Sequence, residues 1–189
     1  MTLTDLLIHT YRNNLNMLLV LLDKAEAQLG ADATEALLSA RLAPDMWPLA
    51  TQLRLAALQA QEAPMRLLGH PMPGPLDELL TEARNGGEHP GTLAQARARI
   101  AEALAFLDTL GPQALDATEP DQPMVLDLPM GMTFDLTRSQ FARDWALGQF
   151  YFHVMAAYAI LRNQGVVIGK ADYVPHMFGY LRDAAVSQS

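Results

Sequence analysis

Leu7, Tyr11, Leu15, Leu18, Leu22, Ala25 and Leu29 recur at alternating spacings of four and three. That spacing places them on one face of an α-helix and predicts a buried seam about six turns long. Thr2 and Asp5 supply a hydroxyl and a carboxylate for the free N–H groups at its start, and Gly30 ends it. His9 lies off the seam and is expected in solvent.

The rest of the chain repeats this pattern with different punctuation. Asp32-x-x-Glu35 opens a short helical turn through Leu38. In ARLAPDMWPL, Pro44 and Pro48 resist a helix interior, so the segment is an ordered bend, with Asp45 the expected cap of the next helix. Leu49, Leu53, Ala56, Ala57, Ala60 and Leu67 carry that helix to Gly69, and Pro64 should kink it or start a new turn. A Pro/Gly loop from His70 to Pro75 leads to a brief helix, Leu76 to Ala83. A second loop, Asn85 to Gly91, holds His89 at the surface.

Thr92-x-x-Gln95 is a capping box that launches a helix with Leu93, Ala96, Ile100, Ala103, Leu104 and Leu107 on one face. Gly111-Pro112 stops it. After a loop over 112–123, Met124–Leu128 and Met132–Leu136 flank Pro129-Met130-Gly131 and predict a β-hairpin too small to fold alone. A second capping box, Thr137-x-x-Gln140, starts the last long helix. Asn163-Gln164-Gly165 stops it, with Arg162 at its carbonyl end, and Val166-Val167-Ile168 reads extended. Four long amphipathic helices with long crossovers predict an all-α four-helix bundle, one domain over residues 1–189. The small β-hairpin falls between the third and fourth long helices.

Composition closes off several functions. The net charge is -8 and no Lys/Arg cluster is visible, which argues against nucleic acid as a partner. No cysteine is present, so disulfides, thiolate nucleophiles and Cys-based metal sites are excluded. No run reaches the roughly 18–20 apolar residues of a membrane span. The start MTLTDLLIHTYRNN lacks the features of a signal peptide, so a cytoplasmic protein is expected. Phosphate-loop, dinucleotide, His-Glu-x-x-His and nucleophile-elbow motifs are absent.

The candidate polar site gathers around His153, within the apolar, aromatic run Gln149 to Asp172. A helical metal site needs a second ligand three or four residues away on the same face, and Ala157 stands where a second histidine would be. Asp45, Gln52 or another helix would have to complete a metal site, and otherwise His153 is a hydrogen-bonded core histidine. Tyr158, Arg162, Lys170 and Asp172 add polar groups near the helix end. Arg162 is read as tending the helix carbonyls, with Lys170 and Asp172 paired on the surface. Arg41 and Asp45 either lie in solvent or line a pocket mouth with them. Contact between Asp45 and His153 would favour the protonated imidazole. Phe141, Trp145, Phe152 and Phe178 are core or interface residues, and Met130, Met132 and Phe134 could cover a dimer surface.

LLSARLAPDMWPLATQ (Leu37 to Gln52) and FYFHVMAAYAILRNQGVVIGKADY (Phe150 to Tyr173) resemble the two signature segments of an uncharacterised bacterial family. It is the domain-of-unknown-function family numbered nineteen ninety-three, in the DinB/YfiT-like superfamily of metalloenzymes. The similarity covers nearly the whole chain. It implies an up-down-down-up four-helix bundle, commonly dimeric, whose relatives hold a metal by three histidines. Some of those relatives are thiol-dependent transferases or hydrolase-like enzymes. His153 matches a helical histidine of the signature, and Asp45 lies in the second-helix ligand region, but the triad itself is not present. Two functions follow as expectations. One is a homodimeric small-ligand-binding or interaction protein with a degenerate metal site. The other is a metal-dependent small-molecule enzyme, of hydrolase or thiol-transferase type, that takes a divalent metal and uses His153 with Arg41, Asp45, Gln52 and Tyr158 around it.

Overall fold

In the computed structural model, which describes residues 1–128 and 131–182, helix α1 runs from Leu3 to Leu29. Thr2 caps it as expected, its Oγ1 accepting from Asp5 N at 3.1 Å. Leu7, Tyr11, Leu15, Leu18, Leu22 and Ala25 are fully buried, and the buried face is wider than the seam because Ile8, Met17 and Leu21 join it. Each such leucine contributes about 1.5–3 kcal/mol on leaving water. Leu29 is 38% exposed, being the last residue before the chain turns at Gly30, where φ is 83°.

The short helix α2 (Ala31–Ala36) and a 3-10 turn (Leu37–Ser39) lead to the Pro-rich bend. Gly30, not Asp32, stands at the cap of α2. The long helices α3 (Leu49–Leu67) and α5 (Leu93–Thr109) follow, joined through α4 (Gly74–Asn85), which is longer at both ends than its apolar positions predict. Pro64 neither ends α3 nor opens a new helix, since α3 runs on for three residues beyond it. The Thr92 capping box is complete: Gln95 N donates to Thr92 Oγ1 and Thr92 N donates to Gln95 Oε1.

Strands β1 (Pro123–Leu128) and β2 (Met132–Thr137) pair antiparallel, with Leu126 opposite Phe134. Leu126 is buried, with Met124, Leu128 and Leu136 partly buried against the core on the same face. Phe134, opposite Leu126, lies on that face too, half-exposed against Trp145 at 6.1 Å, while Val125 faces outward. The hairpin therefore lies on the bundle by one face. Pro129 and Met130 of the expected turn lie outside the described residues, as does any part of Met130 in a dimer surface.

The last long helical run opens on the Thr137 capping box with a turn, α6 (Arg138–Gln140). It passes through a π-helical stretch (Phe141–Ala146) and continues as α7 (Leu147–Asn163). Gly165, at φ 88°, ends it. Val166 and Ile168 are buried and Val167 is exposed, the alternation of extended chain. Gln28 of α1 holds that segment, accepting from Val167 N at 2.7 Å and donating to Val167 O at 3.2 Å. Helix α8 (Lys170–Tyr173) follows. Asp172 pairs with Lys24 of α1, not with Lys170, because the extended segment brings α8 back onto the first helix.

Side-chain contacts fix the directions of the long helices. Leu3 N donates to Asp116 just after α5, while Arg97 near the start of α5 pairs with Asp23 and Glu26 near the end of α1. Those two helices are antiparallel. Arg138, before α7, bonds to Leu67 O at the end of α3, and His153 meets Gln52 at its start, so α3 and α7 are also antiparallel. Tyr11 packs edge-on against Phe150, and Lys24 meets Asp172, so α1 and α7 run the same way. The order is up-down-down-up. None of the helices among the described residues is long and apolar enough to cross a membrane.

Candidate functional site

The site is assembled where the start of α3 meets the middle of α7. Pro48 stands at the head of α3 in an extended conformation, φ -74° and ψ 170°. A residue preceding proline is pushed out of the helical region, and Trp47 in that position leaves its carbonyl outside the helical ladder. Gln52 Nε2 donates to this carbonyl at 3.2 Å. The other end of the same amide, Oε1, lies 2.8 Å from His153 Nδ1.

The tautomer follows from donor and acceptor chemistry. A backbone carbonyl only accepts, so the Gln52 amide turns its NH2 to Trp47 and its oxygen to His153. That oxygen also only accepts, so Nδ1 carries the proton and Nε2 keeps its lone pair. His153 is 5% exposed, and burial pushes its pKa down from 6.5 to about 4. At neutral pH the ring is an uncharged, orientation-fixed acceptor or ligand. Two half-exposed aromatics flank it. Trp47 stacks at a centroid distance of 6.4 Å and 24°, and Phe152 presents an edge at 5.3 Å and 87°.

The other expected residues do not converge on this ring. Asp45 is exposed, and no carboxylate offsets the burial that lowers the pKa of His153. Nor does Asp45 cap α3: Leu49 N is met by Ala40 O at 2.9 Å, and Thr51 and Gln52 N by Pro48 O. Ala40 before the bend and Pro48 at its end supply the backbone partners, which leaves the Asp45 side chain in water. Arg41 is half-buried, its Nη1 donating to Pro44 O at 3.4 Å, and Nη2 lies near Gly87 in the loop after α4. Tyr158 is five residues past His153, about 140° round the helix. It packs edge-on against Tyr173 at 5.5 Å, with burial raising the Tyr173 phenol. Gln52 and His153 are thus brought together, while Arg41, Asp45 and Tyr158 are placed elsewhere.

These donors do not fit a three-histidine metal. Among the described residues no group of three His, Asp or Glu side chains is placed to hold an ion. Ala157, buried one turn after His153, offers no donor, and the Gln52 oxygen is occupied by Nδ1–H. What sequence reasoning missed is the pair of aromatic flanks and the orienting role of Gln52. The signal for the latter was its place one turn after a Trp-Pro step.

The chain is similar to a DinB family member protein from Shewanella denitrificans, whose crystal structure superposes with a TM-score of 0.72 at 29% identity. The match covers 99% of this chain and 94% of that one. No curated protein matches. Residues 3–174 match the family described as a domain of unknown function, DUF1993. With nearly its whole length matched, the chain belongs to the DUF1993 family.

Proposed function

We propose that this DinB-like bundle is a small-ligand-binding protein whose metal position has become a neutral histidine acceptor. The relay from Trp47 O through the Gln52 amide to His153 Nδ1 carries the reading, because it presents one lone pair, on Nε2, between two aromatic rings. The ligand chemistry that suits it is an apolar or aromatic body bearing one O–H or N–H donor. A second copy of the chain is the expected partner. Tyr151, Phe152 and Met155 are exposed on α7, as are Met132 and Phe134 on β2, and an apolar surface of that kind is covered when two copies meet.

Phenol, an aromatic ring with a single donor, is the test probe. Its titration should give a saturable shift of the His153 Nε2 resonance in nitrogen NMR, lost in His153→Phe and weakened in Gln52→Leu. A resonance that does not move with phenol refutes the reading. Elemental analysis of untagged protein checks the other function expected from the resemblance. Stoichiometric zinc, nickel, manganese or iron that disappears in His153→Ala would restore a metal-dependent enzyme. Light scattering should give twice the chain mass of 20.7 kDa, and a monomer would remove the second copy.

A further inference from the structure

Two residues along a helix correspond to a turn of about 200°, so Arg54 looks away from α7 while Gln52 looks towards it. On Arg54's side, α3, α4 and α5 enclose an open cavity of about 550 Å³. Arg54 lines it and is 3% exposed. An arginine so buried needs acceptors for its N–H groups, and it is short of them. Nη1 donates to Ala50 O in its own helix at 3.1 Å. Nε lies 3.6 Å from Glu82 Oε2, beyond hydrogen-bonding reach, and is buried without a partner.

Glu82 fails to satisfy Arg54 because it is already engaged. Both its oxygens accept from Arg99, whose Nη1 donates in turn to Glu102 at 2.8 Å. Burial therefore works against the Arg54 charge, with Glu82 only partly offsetting it. The remaining nitrogen, Nη2, is left open by a glycine. A Cβ at Gly91 would stand 2.6 Å from it, and Gly91, itself lining the cavity, adopts φ 67°. Thr81, Asn85, His89 and Gln95 add polar groups around the same space.

We propose that this cavity binds the carboxylate of a small polar molecule, with Arg54 Nη2 as its anchor. A singly charged carboxylate suits the site better than a phosphate. Glu82 and Glu102 stand at its wall and the chain carries a net charge of -8, so each further negative charge on the ligand is repelled. The site is independent of His153.

The test titrates the full-length protein with acetate, and separately with inorganic phosphate, at constant ionic strength, following the Arg54 side-chain N–H by NMR. Acetate should give a saturable shift and bind more tightly than phosphate. Arg54→Met should weaken acetate binding about tenfold or more, the loss of one charge-assisted hydrogen bond. Should that variant not fold, Ala98→Leu carries the test. Ala98 is exposed on α5 and lines the cavity, so the larger side chain obstructs the space without touching a charge, and acetate binding should weaken there too. Shifts that never saturate, or acetate binding unchanged in Ala98→Leu, overturn the site. Tighter binding of phosphate than of acetate overturns the assignment to a carboxylate.

Discussion

A histidine buried between two helices gives up its charge more readily than one in an unfolded chain, and His153 does so with its pKa near 4. Because the folded value lies below the unfolded one, the proton binds the unfolded state preferentially. Stability from this group is complete above about pH 6.5, falls as pH drops, and stops falling below about pH 4. The span amounts to about 3 kcal/mol. Urea unfolding of wild type and His153→Leu at pH 7.5 and 4.5 should show a steeper acid loss in wild type, and parallel losses would contradict the lowered pKa of the buried ring. The inward face of His153 was legible from its apolar neighbours. Its partner was not: Asp45 and Gln52 stand seven residues apart in one segment, and only the position of the helix start decides which reaches α7.

Helix starts were the most readable elements because their chemistry is local. Thr2, Thr92 and Thr137 each accept from the backbone three residues on, within one turn of chain. Other caps come from far away. Asp116, in the loop after α5, accepts from Leu3 N at 2.8 Å, and Glu35 accepts from Leu93 N at 2.8 Å. Burial opposes the charge of Asp116, but hydrogen bonds from Thr4, Thr2 and the first backbone N–H groups of α1 outweigh it. Its carboxyl is held below the usual range. Asp116→Ala should cost about 1 kcal/mol, the loss of a cap, seen as a lower thermal midpoint at pH 7. At a pH low enough to protonate the wild-type carboxylate the difference should shrink, and a constant difference would mean that its charge contributes nothing.

Across the whole molecule, Arg138 ties together parts that are distant in sequence. It is 7% exposed, and its guanidinium donates to Leu67 O at the end of α3 and to Leu115 O in the crossover, the latter at 2.7 Å. Arg138→Met would leave two carbonyls unpaired and should cost on the order of 3 kcal/mol. Chemical denaturation should show the loss without a change in helical circular dichroism before the transition. A cost below about 1 kcal/mol would mean water replaces the side chain. Periodicity predicts the four long helices and the hairpin but says nothing of such a clamp, since one arginine in a capping box looks like any surface residue.

Local chemistry, read directly along the chain, determined the helix starts at Thr2, Thr92 and Thr137, which face of each long helix is apolar, and that four of them must cover one another. Those features depend on neighbours within a turn or two, and 3.6-residue spacing records them. Tertiary structure alone decided that Gln52 orients His153 and that Arg54 faces a polar cavity, although both sit within three residues of one helix. A helix turns about 100° per residue, so what each side chain meets depends on which neighbour is packed against that side. That choice belongs to the assembled bundle.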